Sequence, residues 1–261
     1  MLLRRRVPPT RIRRRSQMPE PRIRTARRGY GVHKLNDLSR DVLLSIGKSL
    51  TYYRLLRGDG GLAGEEWERI FAKAVGGTWE KSNVGLEDVV KGSTCWGAKT
   101  VKCSNPYGQQ VIRLIVGRNS LDYSLGISDP RSHDPQEVGT GVLAIWNMRV
   151  NTVGSKFHDI RFAILVRSDT LEENAIFEDE VRVVDPREVE WRWNKRSNLE
   201  GWAGGSHLFT WQPHGSQFTM IRQVPPKVHK VRLRLPANVR TLDEESLLAG
   251  VGWSEEWVIV E

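Results

Sequence analysis

The apolar residues between 63 and 167 fall into six segments whose spacing runs helix, strand, strand, strand, helix, strand, and this order constrains the fold more than any other feature of the chain. Trp67, Ile70, Phe71, Ala74 and Val75 recur at the spacing of one helix face, so 63–75 is expected to be helical, with Gly76-Gly77 closing it as a C-cap. Strands are expected at 84–90, 94–101 and 110–117, the first two joined by a tight turn at Lys91-Gly92 and the third preceded by turn chemistry at Asn105-Pro106-Tyr107-Gly108. Residues 118–139 read as a loop, 140–153 as a helix ended by Gly154, and 161–167 (RFAILVR) as a buried strand. An earlier helix, capped by Asp37 or Ser39, runs to about Leu56. After residue 175 the pattern is strand-like, at 181–184, 189–193, 208–211, 217–221, 228–235 and 257–260, with a short helix near 242–249. The expected fold class is therefore α/β, one core with a β-rich C-terminal elaboration.

Charge divides the chain differently. Residues 1–29 carry eleven arginines and one acid, a net charge of +10. Residues 30–261 are left with 29 basic and 30 acidic side chains, a net of −1, so the high isoelectric point belongs to the tail. That tail has prolines, no apolar period and strong self-repulsion, and is expected to be disordered. It can serve as an electrostatic arm for phosphate backbones, or it can be an extension ahead of a true start at Met18. The domain reading is a basic tail at 1–29 and a single domain at 30–261. No run of about 18 apolar residues is present, so no transmembrane helix and no membrane partner are expected. Cys95 and Cys103 are the only cysteines, without histidines at zinc spacing, which fits a reduced, cytoplasmic setting. Most of the ten tryptophans are expected to pack in the core.

Within GLEDVVKGSTCWGAKTVK (85–102), Asp88 stands at the front of one apolar strand and Lys99 lies on the next. If the Lys91-Gly92 turn closes a hairpin, the two side chains converge across the ladder, about 5 Å apart. A carboxylate that holds a divalent cation, beside a lysine that steadies the attacking water or the phosphate, is a phosphodiesterase arrangement. The position two before the lysine, where a second carboxylate would serve, is Gly97. Glu68 or Glu87 would then have to complete the shell.

Helix, strand opening on Asp, turn and strand ending in Lys resemble the PD-(D/E)XK nuclease superfamily, most of all a type II restriction endonuclease. Gly64-Glu65-Glu66-Trp67-Glu68-Arg69 is similar to the pattern that carries a further metal-proximal glutamate in that group, and Glu68 is the matching position. Asp88 matches the first carboxylate of the core motif and Lys99 its lysine. Gly97 departs from the usual acid and Glu87 from the usual proline. The resemblance covers about residues 63–167. It implies a restriction-endonuclease-like core, a central mixed sheet flanked by helices, and a Mg²⁺-dependent DNA endonuclease that hydrolyses phosphodiester bonds. Asp88 and Glu68 would bind Mg²⁺, and Lys99 would position or activate water. It also implies double-stranded DNA as partner and a homodimer.

Two further stretches are candidates for contact with DNA. Arg118 and Asn119 directly follow a strand and can hold a phosphate or read a base edge. Gln212, His214 and Gln217 flank a Pro-His-Gly-Ser hairpin tip. Arg192, Lys195 and Arg196, interleaved with Trp191 and Trp193, form a basic–aromatic patch compatible with nucleic acid. The competing reading is a non-catalytic nucleic-acid-binding protein that uses the arginine arm and a tryptophan-rich sheet.

Overall fold

The computed structural model describes residues 32–58, 61–81, 85–239 and 243–258. The tail at 1–29 with Met18, Val84 of the expected strand 84–90, Leu242, and residues 259 and 260 lie outside the described residues.

The elements are α1 (Arg40–Arg57), α2 (Gly64–Val75), β1 (Thr78–Trp79), β2 (Val89–Lys91), β3 (Thr94–Lys102), β4 (Val111–Arg118), α3 (Leu121–Leu125), α4 (Pro135–Gly154), β5 (Asp159–Arg167), β6 (Glu173–Glu180), β7 (Glu190–Trp193), β8 (Leu199–Ala203), β9 (Ser206–Gln212), β10 (Gln217–Gln223), β11 (His229–Arg232) and α5 (Glu244–Gly250). Ser39 caps α1 by accepting from the Val42 N–H, and left-handed Gly76 closes α2 (φ 66°). The first sheet runs β1-β2-β3-β5-β6-β11 and the second β4-β10-β9-β8-β7. β3 and β5 are parallel in full register, and α4 makes the crossover between them; the other pairings are antiparallel. The protein is thus mixed α/β, with a mixed sheet and flanking helices.

Two cores sandwich the first sheet. On one face Trp67, Ile70 and Phe71 of α2 and Ile46 and Leu50 of α1 pack on Val89, Trp96, Ala98, Ala163 and Leu165. On the other, the apolar stripe of α4 and the inner face of the second sheet close over Cys95, Phe162, Ile164 and Val166. β5 is buried on both faces, which is why its sequence reads as a continuous apolar run. Trp67, Trp96, Trp146 and Trp211 are fully buried, each placing a large apolar area in a core.

The structure departs from the expected elements in several places, among them the strand expected at 84–90, which begins only at Val89, and the unexpected strands β1 and β8. The stretch 118–139 contains α3, and α4 begins at Pro135 rather than near Thr140: Asp134 caps it through the Gln136 N–H, and proline takes the first helical position. The strand expected at 181–184 is not one. Asn147 of α4 bonds both the N–H and the carbonyl of Val184, and Trp146 donates to the Arg182 carbonyl, so this segment is tied to a helix; the strand is β6, just before it. β4 leaves the first sheet and edges the second. Of the strand expected at 257–260, Trp257 instead ends a 3-10 turn (Glu255–Trp257), and 259 and 260 lie outside the described residues.

Candidate active site

Asp88 stands immediately before β2 and Lys99 lies midway along β3, and the β2–β3 hairpin turning at Gly92 (φ 59°) brings them together. Lys99 Nζ donates to Asp88 Oδ2 at 3.1 Å, and the backbone N–H of Ala98 donates to the same oxygen at 2.9 Å. Asp88 is only 4% exposed. A carboxylate so far from water needs such partners, and they fix its direction.

Glu68 lies on α2, which packs against β1, β2 and β3. Trp79 Nε1 donates to its Oε2 at 2.9 Å, which orients the carboxylate, while Arg69 stacks on the same indole at 4.0 Å. Burial raises the pKa of Glu68 above the ordinary value; the Trp79 bond opposes this, the charge of Asp88 adds to it and that of Lys99 opposes it. Glu68 therefore lies within electrostatic reach of both hairpin residues. Glu87 is engaged elsewhere, with Lys156 Nζ 3.3 Å from its carboxylate.

The place of the missing acid is physically closed. A β-carbon on Gly97 would stand 2.8 Å from the Gly85 carbonyl oxygen, 3.2 Å from the Phe162 ring and 3.3 Å from Leu86 Cα. Backbone covers the face on which a side chain at this position would have to project.

One participant escaped the sequence reading. Arg149, on the inward stripe of α4 three residues after Trp146, donates to the Val116 carbonyl at 2.8 Å and to Asn119 Oδ1 at 3.2 Å. Burial lowers the pKa of its guanidinium, and the charge of Asp88 works in the opposite direction. The Val116 carbonyl is available because β4 bulges there: Gly117 faces Phe218 while Ile115 faces Thr219. Gly117 adopts φ 134° against the guanidinium, where a β-carbon would lie 2.8 Å from it. The legible signal was a basic residue set on an apolar helical stripe.

Among the described residues, no group of three or more His, Cys, Asp or Glu gathers as a metal cage. The chain offers two carboxylates, Asp88 and Glu68. That set fits Mg²⁺, which keeps several waters and takes phosphate oxygens alongside one or two carboxylates.

The candidate DNA contacts collect at one end of the second sheet. Arg118 pairs in register with Gln217, which in turn pairs with Gln212, and exposed His214 stands at the hairpin tip between them. Asn119 is a correction. It is 0% exposed; its Nδ2 donates to the Val142 carbonyl, its Oδ1 accepts from Arg149 and its own carbonyl accepts from Trp211 Nε1, so it ties β4 to α4 and cannot face a base. Trp191 of the expected basic–aromatic patch is likewise a core residue.

No family model, curated protein or solved structure matches the chain. Geometry and chemistry alone carry the functional reading. No helix among the described residues is long and apolar enough to cross a membrane.

Proposed function

We propose that the protein is a divalent-metal-dependent DNA endonuclease, restriction-enzyme-like, acting on double-stranded DNA. The observation that carries this is the contact between Asp88, just before β2, and Lys99 on β3, with Glu68 on the preceding helix close enough to feel both charges. The crossover by α4 into parallel β5 supplies the strand–helix–strand that such a core requires. Asp88 and Glu68 are the residues that would hold Mg²⁺, which when bound would supply Lewis acidity at the phosphate and acidify water. Lys99 keeps a cation beside Asp88, where it can neutralise a phosphate oxygen or orient the nucleophile. Arg149 sets a second positive charge close by, and Arg118 and Gln217 present donors at the adjoining sheet end.

Incubation with plasmid DNA and Mg²⁺, beside Asp88→Ala and Lys99→Ala, tests the site. Nicking or linearisation is expected from the native chain and at least 100-fold less from either variant, as loss of one positioned group typically costs. Cleavage that persists in both would sink it. The second reading, a non-catalytic nucleic-acid-binding protein, draws support from the lack of a third metal-ligating group among the described residues; salt-sensitive binding without cleavage would favour it.

A further inference from the structure

The outer face of the second sheet carries cations that the active-site reading leaves unused. A concavity of about 550 Å³ spans it, lined by Arg113, Lys195, Arg196, Asn194, Thr210 and Gln212 among others. Glu200 is the one acid in the lining, and its carboxylate accepts from Asn194 Nδ2 at 2.7 Å. Arg113 donates to the Thr210 hydroxyl at 3.0 Å. Neither Arg113, Lys195 nor Arg196 forms a salt bridge with a carboxylate among the described residues. In a body whose net charge is −1, three such cations around one hollow mark a place where negative charge is expected from outside.

The turn beside the hollow is held by hydrogen bonds and is well placed. Asn194 Oδ1 accepts from the N–H groups of Arg196 and Asn198 at 2.9 and 3.0 Å, and Ser197 turns with φ 60°, so the β7–β8 turn holds Lys195 and Arg196 outward. Antiparallel register puts that turn at the end of the sheet where β9 finishes, because Leu199 faces Trp211. Arg118, Gln212, His214 and Gln217 occupy the same end. From there Asn119 and Arg149 connect to the vicinity of Asp88.

We propose that Arg113, Lys195 and Arg196 form a docking site for the phosphate backbone of double-stranded DNA, separate from the cleavage centre and continuous with the sheet end beside it. As a guide to the substrate it rests on the nuclease reading, but it is read by binding alone. Its shape is suited to contiguous phosphates: preset donors on a turn and an arginine across the sheet cost little ordering on binding. Contacts of this kind give affinity without sequence information.

The test uses the full chain with Asp88→Asn, so that binding is scored without cutting. Duplex binding is followed by fluorescence anisotropy between 50 and 300 mM salt (~0.05–0.3 M, the range over which counterion release dominates). Arg113→Ala, Lys195→Ala and Arg196→Ala, singly and combined, are compared with Lys48→Ala, an exposed cation on α1 in the opposite layer. Each is expected to flatten the slope of log K against log salt by about 0.9, and the triple variant by about 2.7. The contribution of the arginine tail is common to all the chains and cancels. Slopes matching Lys48→Ala, with thermal melts showing all variants folded, would overturn the proposal. If the parent chain with Asp88 intact fails to cut while these slopes still fall, the nuclease reading fails and the docking site stands. If it cuts and the slopes do not move, the docking site alone fails.

Discussion

At Gly97 the β-carbon of any other residue would meet the Gly85 carbonyl at 2.8 Å. Backbone cannot swing aside as a side-chain tip can, so Gly97→Ala is expected to cost about 1–3 kcal/mol, the range of core overpacking, measured by urea denaturation. Gly97→Glu, which would match the nuclease pattern that the sequence resembles, should destabilise further and add no Mg²⁺-dependent cleavage. A gain in cleavage would show that the site tolerates the acid after all. Nearby, burial pushes the Cys95 thiol up to about 12, with the charges of Glu87, Asp159 and Asp88 adding to the effect. Alkylation by iodoacetamide at about pH 8, where an ordinary thiol near pKa 8.5 reacts readily, should leave Cys95 unmodified until the chain unfolds. Half-buried Cys103 should be labelled first, and peptide mass spectrometry distinguishes the two.

At the scale of elements, the first sheet is joined to the start of the described chain by a buried polar cluster. Glu178 of β6, with no exposed side-chain surface, accepts from His33, Trp96 Nε1, the Asn36 N–H and Arg161. Burial works against its ionised form, yet His33, Arg161 and Trp96 outweigh it and hold the carboxyl below the ordinary range. Because the folded pKa is depressed, the stability this group contributes is fully present above the unfolded value and is lost as pH falls through the folded one. Glu178→Gln leaves buried Arg161 with Asp159 as its one carboxylate, beside the His33 carbonyl, and should cost about 3 kcal/mol at neutral pH. The deficit relative to the parent should shrink as pH drops below the ordinary glutamate range, and a pH-independent deficit would refute the ionic account. None of this cluster is legible in the sequence, since its members lie up to 145 positions apart and no local pattern joins them. The helices were legible because Ser39, Gly76 and the apolar stripes are local signals. β8 was missed because Gly201 interrupts the alternation a strand shows, and the second sheet because nothing local says that β4 abandons β3 for β10. The contact between Asp88 and Lys99 was legible from the turn that separates them. Arg149 was not, as its partner is a carbonyl freed by a bulge in another sheet.

For the whole molecule, charge and fold separate cleanly. The chain from residue 30 onward carries a net −1, against +9 for the full sequence. Removing residues 1–29 should bring the isoelectric point from about 9.8 to the acid side of neutrality and sharply reduce the salt dependence of DNA binding, toward the slope set by the folded body. Isoelectric focusing and the same anisotropy titration check both; an unchanged salt slope would mean that the tail does not touch DNA.

The bulge at Val116 and Gly117 also limits how this lineage can change length. Val116 is the one residue of this strand that β10 does not oppose, so its deletion would leave Gly117 facing Phe218 and Ile115 facing Thr219 with the alternation intact, whereas deletion of Leu114 would send Arg113 into the core and turn Ile112 out to water. A single residue can therefore be lost from this strand only at the bulge, and between Val111 and Ile115 changes of length should survive only in pairs, even where every residue within that stretch has drifted.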